Sequence, residues 1–185
     1  MELMQASMNH LPDYADALRR GWSPDNIRGA AAAEEELERI GRDPQLFVNS
    51  CTNLAGGGDP VVLPDGSQVP RLPGIRLWMW DGEFCGAIGF RWQAGTAALP
   101  PWCLGHIGYS VVPWKRRRGY ATRALGMVLA RAKRRGMPYV EITTDLDNIA
   151  SQRVIVRNAG FVVGQFCKPL ALGGKESLRY RIALT

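Results

Sequence analysis

Apolar and polar positions along this chain follow two rhythms, one recurring at helical spacing and one alternating residue by residue. Leu3–Ser7 reads as a short strand. His10-Leu11-Pro12-Asp13 then introduces a helix that carries Tyr14, Ala17 and Leu18. Pro24-Asp25-Asn26 supplies a cap for a second helix through Ala30–Ala33 and Glu34–Ile40, and Asp43 caps a third, shorter one. From Thr52 to Pro73 both rhythms stop. Gly56-Gly57-Gly58-Asp59-Pro60 and Leu63-Pro64-Asp65-Gly66 are turn chemistry, so the stretch predicts a long loop with room for a small hairpin.

Strand signals begin at Ile75–Trp80, break at the tight turn Asp81-Gly82 and continue through Phe84–Trp92, the pattern of a hairpin. Leu99-Pro100-Pro101-Trp102 closes the next loop with prolines that cannot donate to a ladder. Cys103–Val112 reads as an apolar strand in which Gly105 and Gly108 imply a bulge or a close backbone approach. Gly119–Arg135 is the clearest helix: Ala121, Leu125, Val128, Leu129 and Ala132 share one face, with Arg123, Arg131 and Arg134 opposite. Gly136-Met137-Pro138 stops it. Tyr139–Thr144 predicts a strand, Ile149–Asn158 a helix closed by Gly160, and Phe161–Cys167 and Leu178–Leu184 the last two strands. The order from Ile75, β-β-β-α-β-α-β-β, is that of a mixed α/β sheet. With no internal repeat and no linker, residues 1–185 are expected to form one domain.

Composition narrows the class. At 185 residues, 46% hydrophobic and 22% charged, the chain is neither disordered, collagen-like nor a coiled-coil rod. No stretch approaches the ~18 apolar residues of a membrane span, and Glu2 stands where a signal peptide carries a base. A soluble, cytoplasmic protein without a membrane partner is the expectation. Cys51, Cys85, Cys103 and Cys167 are widely spaced, with only His10 and His106 as companions, so reduced thiols and no metal site are expected.

The net charge of +6 is unevenly placed. Nine bases and no acid lie between Trp114 and Pro138, while the remainder holds 14 bases against 17 acids. An anionic partner should dock on that one segment. Within it, Gly108-Tyr109-Ser110-Val111-Val112-Pro113-Trp114-Lys115-Arg116-Arg117-Arg118-Gly119-Tyr120-Ala121-Thr122 places a strand end, a basic loop and a helix start in succession. Backbone N–H groups at a helix start, with a glycine for close approach, cradle an anion, and arginines add hydrogen bonds suited to phosphate. Neither a P-loop Gly-Lys-Ser/Thr nor a dinucleotide-binding GxGxxG is present.

Arg116-x-x-Gly119-x-Ala121 after a strand ending Val-Val-Pro resembles the pyrophosphate loop of the GNAT family of N-acetyltransferases. Downstream, Asp147-Asn148-Ile149-Ala150-Ser151-Gln152-Arg153-Val154-Ile155 and Asn158-Ala159-Gly160-Phe161 resemble that family's second cofactor motif. The resemblance covers roughly Ile75 to Leu184 and is nearest to a bacterial branch of acetyltransferases with Gly-His-Ile-Gly-Tyr-Ser on the fourth strand, here residues 105–110, and an Arg-Tyr-x-Ile ending. It implies a central mixed, mostly antiparallel sheet splayed between the family's fourth and fifth strands and flanked by helices. Residues 74–185 would form the cofactor core, and residues 1–73 would shape the acceptor site.

It further implies acetyl-CoA as acyl donor and a primary amine as acceptor, attacked directly without an acyl-enzyme. Backbone groups of Tyr109 and Val111 would pair with the pantetheine amides as an added strand does. Amides of Arg117, Arg118, Gly119, Tyr120, Ala121 and Thr122 would hold the pyrophosphate, with charge from Arg116 and Arg118. Asn148 would bond the pantetheine with Ser151 near it. Against this stands a plainer reading, in which the arginines are a solvated face and Asn148 a helix cap.

The usual catalytic groups are missing: the family's tyrosine falls at Ile155 and its fifth-strand glutamate at Thr143. His106 and Glu141 are candidate bases and Tyr109 a candidate proton donor, though a lone strand histidine can equally be a hydrogen-bonded core residue. Trp22, Trp78, Trp80, Trp92 and Trp102 line a pocket or fill the core; Glu34-Glu35-Glu36-x-Glu38 attracts a cationic amine or solvates a helix. The acceptor is left open between a small amine, a peptide N-terminus and a protein lysine, and homodimerisation is left open too. Two other classes compete: a non-catalytic acyl-CoA sensor, and a nucleic-acid binder. The last is disfavoured because no aromatic stacking platform accompanies the bases, so no nucleic-acid partner is expected.

Overall fold

The computed structural model describes residues 1–63 and 66–184. In chain order the regular elements are β1 (Glu2–Gln5), α1 (Leu11–Arg19), α2 (Ala30–Arg42), α3 (Pro44–Ser50), β2 (Thr52–Asn53), β3 (Val61–Val62), β4 (Gln68–Val69), β5 (Gly74–Trp80), β6 (Phe84–Arg91), β7 (Ile107–Val111), α4 (Tyr120–Arg134), β8 (Tyr139–Asp145), α5 (Ile149–Val156), β9 (Phe161–Cys167) and β10 (Glu176–Ala183). The predicted hairpin in the Gly/Pro-rich stretch is β3–β4; Pro64 and Asp65 of its expected turn lie outside the described residues.

Two antiparallel sheets carry the fold. One runs β1-β5-β6-β7, with β2 also on β5; the other runs β8-β10-β9. The break falls between β7 and β8, the fourth and fifth strands of the expected core. Alternation along β5 sends Leu77 and Met79 into a core shared with α4 and α5, and Trp78 into a second core with α1, α2 and α3. The buried face of α4 is Ala124, Leu125, Val128 and Ala132, while Ala121 and Leu129 sit at its half-buried margin. Burying Leu125 and Val128 completely is worth roughly 1.5–3 kcal/mol each.

Several expectations are corrected. The strand expected over Cys103–Val112 is confined to β7, because Cys103 N donates to Pro100 O and keeps the preceding segment in a turn. Asp25 caps a turn, accepting from Ile27 N and Arg28 N, and α2 begins only after it. At the end of α5 the left-handed residue is Ala159; Gly160 is needed because a Cβ there would stand 2.3 Å from Ile155 Cγ2. The acidic run on α2 does not act as one surface: Glu36 is 6% exposed and accepts from the Tyr14 hydroxyl and from Arg76 at 2.5 Å. Burial outweighs the opposing Arg76 charge and raises the Tyr14 pKa well above its ordinary value. Trp22, Trp78 and Trp92 are core residues.

Candidate active site

The site grows from the gap between the sheets. Val112 N donates to Cys85 O, and Arg91 N donates to His106 O. Antiparallel alternation therefore spends the His106 carbonyl and the backbone of residues 108, 110 and 112 on β6, and it turns the backbone of Tyr109 and Val111 to the opposite, open edge. Among the described residues only long side-chain contacts meet those carbonyls, Asn26 Nδ2 to Tyr109 O at 3.4 Å and Arg116 Nε to Val111 O at 3.3 Å.

At its start this edge is closed by a joint. His106 N donates to Glu141 O at 2.7 Å, and Glu141 N donates to His106 Nδ1 at 2.9 Å. The backbones are so close that a Cβ on Gly105 would lie 3.3 Å from Glu141 O. This is the close approach that a glycine at 105 predicts; Gly108 faces no such crowding.

At its far end β7 leads through a turn at Pro113–Lys115 into α4. Arg117 (φ 63°) and Gly119 (φ 76°) both take the left-handed conformation, and no side chain caps α4. The first amides of the helix are thus directed outward from a curled loop, with Arg116, Arg117 and Arg118 exposed around them. What Gly119 supplies is its backbone angle: a Cβ there would meet nothing within 4 Å.

Lys115, in contrast to the three arginines, is turned inward and already paired. It is 7% exposed and paired to Asp81 at 2.5 Å and Glu83 at 3.2 Å. Asp81 also accepts from the Tyr120 hydroxyl. Burial alone would raise the Asp81 pKa, but the hydrogen bonds from Lys115 and Tyr120 prevail and hold it well below the usual carboxylate range. One aspartate so ties the β5–β6 turn to both ends of the basic loop. Sequence reasoning took Asp81 for turn chemistry alone; the only available signal was an acid set between strands facing a base-rich loop.

Across the gap, Tyr109 and Ser151 come together, hydroxyl to hydroxyl at 2.9 Å. Burial, opposed by the Ser151 hydrogen bond, pushes the Tyr109 pKa up to about 12. Asn148 caps α5, its Oδ1 accepting from Ser151 N at 3.1 Å, so it orients the helix turn that presents Ser151. Behind β7, Ser110 accepts from Trp22 Nε1 at 2.9 Å, an anchor between α1 and the site that the sequence does not announce.

The two candidate bases, His106 and Glu141, differ in what their contacts leave free. Because His106 Nδ1 accepts from a backbone N–H, the neutral ring carries its proton on Nε2. The ring is 1% exposed, and burial, against an upward pull from Glu141, lowers its pKa. Glu141 gives Oε1 to Arg181, at 2.7 Å from Nη2 and 3.2 Å from Nε.

A family profile described as an acetyltransferase (GNAT) domain matches residues 70–162. Among solved structures, the ribosomal L7/L12 alpha-N-protein acetyltransferase RimL in complex with coenzyme A is 18% identical with a TM-score of 0.61, over 98% of this chain and 92% of that one. The Salmonella typhimurium acetyltransferase that modifies the N-terminal serine of ribosomal protein L7/L12 gives 18%, 0.61, and 98% and 93% coverage. The microcin C7 self-immunity acetyltransferase MccE, in complex with acetyl-CoA and AMP, is 12% identical with a TM-score of 0.56, over 98% and 91%. At these identities the likeness is one of fold. No curated protein matches the chain in sequence.

Proposed function

The chain belongs to the GNAT family of acetyltransferases, and from that premise we propose that it transfers acetyl from acetyl-CoA to a primary amine by direct attack. We further place it in the branch marked by Gly105-His106-Ile107-Gly108-Tyr109-Ser110 on the fourth strand. We read residues 1–185 as one cytoplasmic domain whose segment 1–73 shapes the acceptor site. The observation that carries the mechanism is the Tyr109–Ser151 hydroxyl pair on opposite sides of the gap.

Acetyl-CoA supplies the activated acyl group. For holding it, the chain has the open edge at Tyr109 and Val111, Arg116 and Arg118 for charge, and the outward amides of Arg117 to Thr122. Asn26 and Arg116 hold the two edge carbonyls at 3.3–3.4 Å, weak contacts that a strand-like ligand replaces at small cost. Asn148 fixes the α5 turn, with Ser151 beside the same ligand. A hydroxyl with a pKa of about 12 keeps its proton at neutral pH, so Tyr109 is a donor to a departing thiolate and Ser151 the group that re-supplies it. The attacking amine loses its proton to solvent, since His106 Nδ1 is held by Glu141 N and the ion-paired Glu141 positions the amine rather than taking its proton.

Calorimetry with acetyl-CoA tests the reading. Gly119→Glu forces a side chain into a left-handed position and a negative charge beside the cradle. It should weaken binding at least about 10-fold, because two adverse terms of roughly 1 kcal/mol each combine. Unchanged affinity in a folded variant refutes the cradle.

A further inference from the structure

On the face of β8 turned away from α4, the structure holds a cavity of about 320 Å³. Pro100 and Leu104 form an apolar wall, and Glu141, Arg179 and Arg181 line it from the sheet. Its polar groups are unevenly satisfied. Arg181 bonds Glu141 Oε1 through both Nε and Nη2. Glu141 Oε2 has only the Arg179 Nε at 3.9 Å, an ion pair too long for a hydrogen bond. Arg179 Nε is itself buried with no hydrogen-bond partner. Such a buried, unmet donor favours any ligand that brings it an acceptor.

The cavity thus offers an unmet acceptor and an unmet donor 3.9 Å apart. Two guanidiniums against one carboxylate also leave one positive charge in excess. Water can fill the space but gives Arg179 no charge-assisted hydrogen bond; an anionic group does. An ammonium group on a neighbouring carbon would meet Glu141 Oε2 at the same time. The location fits the chemistry. A coenzyme laid from the α4 cradle back along β7 directs its acyl end toward the His106–Glu141 joint. Glu141 makes that joint with its backbone and lines the cavity with its side chain.

We propose, resting on the acetyltransferase reading above, that this cavity is the charged part of the acceptor site, with segment 1–73 shaping the remainder, and that its substrate is a zwitterion, a small amine bearing a carboxylate or phosphate. Glu141 Oε2 receives the amine end and Arg179 the anion. A peptide N-terminus or a lysine side chain, lacking an adjacent anion, leaves Arg179 unmet.

Two readouts test this on the whole protein. First, an α-amino acid and its carboxamide, and phosphoethanolamine and ethanolamine, are titrated calorimetrically into protein saturated with CoA. Second, release of the CoA thiol from acetyl-CoA is followed with the same compounds. The anionic member of at least one pair should bind and react about 10- to 100-fold better, the worth of a charge-assisted hydrogen bond; which pair responds separates carboxylate from phosphate. Arg179→Gln should erase the preference through Kd and KM, and Arg179→Lys should retain part of it. Equal use of the two members in both pairs, failure of both anionic amines to react, or an undiminished preference in Arg179→Gln overturns the proposal. Titration of acetyl-CoA alone separates the two levels. If it binds, such a failure is of the acceptor site; if it does not, the acetyltransferase reading fails and takes this one with it.

Discussion

Replacing Lys115 by Met should loosen the basic loop without touching any of its arginines. The lysine side chain is 9% exposed and its main partner Asp81 19%; Glu83, at 72%, adds little. Removing one partner from a fully buried pair costs about 3–5 kcal/mol, while exposed pairs are worth roughly 0.2–1 kcal/mol. With Asp81 partly wet and still bonded to Tyr120, about 2 kcal/mol is the expected loss. In a protein of this size that lowers Tm by roughly 4–8 °C. Differential scanning calorimetry at pH 7 reads it directly. Asp81→Asn in the Lys115→Met background should recover part of the loss, because no stranded carboxylate remains. Acetyl-CoA affinity should fall as well, since the turn that sets the Arg117 and Gly119 angles has lost its anchor. A melting temperature within about 1 °C of the parent, or a double variant no better than the single one, would refute the reasoning. The pH sign is fixed. The Asp81 pKa is lowered in the folded state, so its stabilisation is present above the unfolded value of about 3.9 and is lost as pH falls through the folded value. Acid should therefore destabilise the parent more steeply than Asp81→Asn.

Tyr109→Phe should reduce acetyl transfer about 10²-fold with little change in acetyl-CoA affinity, by loss of a proton donor. Because that hydroxyl titrates near 12, the parent's rate should show no fall from this group below about pH 10, a profile that stopped-flow thiol detection can follow. His106→Phe should cost roughly 1–3 kcal/mol by stranding the Glu141 N–H, and the rate profile should keep its shape through the histidine range. The folded His106 pKa is lowered, chiefly by burial, so its contribution holds above the unfolded value of about 6.5 and fades as pH drops through the folded one. Melting curves at pH 7.5 and 5 should therefore converge in the variant relative to the parent.

The elements whose causes are local were legible in the chain itself. The β5–β6 hairpin, the Asp43 cap accepting from Leu46 N at 2.8 Å, and α4 with its stop at Gly136 each depend on periodicity, a cap or a turn residue within a few positions. So did the start of α4, because a left-handed glycine before an uncapped helix in a basic loop is a local arrangement of backbone. The pairing of Tyr109 with Ser151 was half legible: both residues stood in recognisable motifs, but nothing local says that hydroxyls 42 positions apart will touch.

What tertiary structure alone decided was the ionisation and availability of each candidate. Lys115 looked like one more base in a run until Asp81 and Glu83 enclosed it. Glu36 looked like part of a solvated acidic face until Tyr14 and Arg76 closed over it. His106 looked like a base until its Nδ1 was found holding Glu141 N. Sequence determined which chemical groups this protein has and in which strands and helices they stand, since those depend on neighbours along the chain. Whether a group is a donor, a base or a brace depends on what burial and long-range packing bring against it, and the fold sets that.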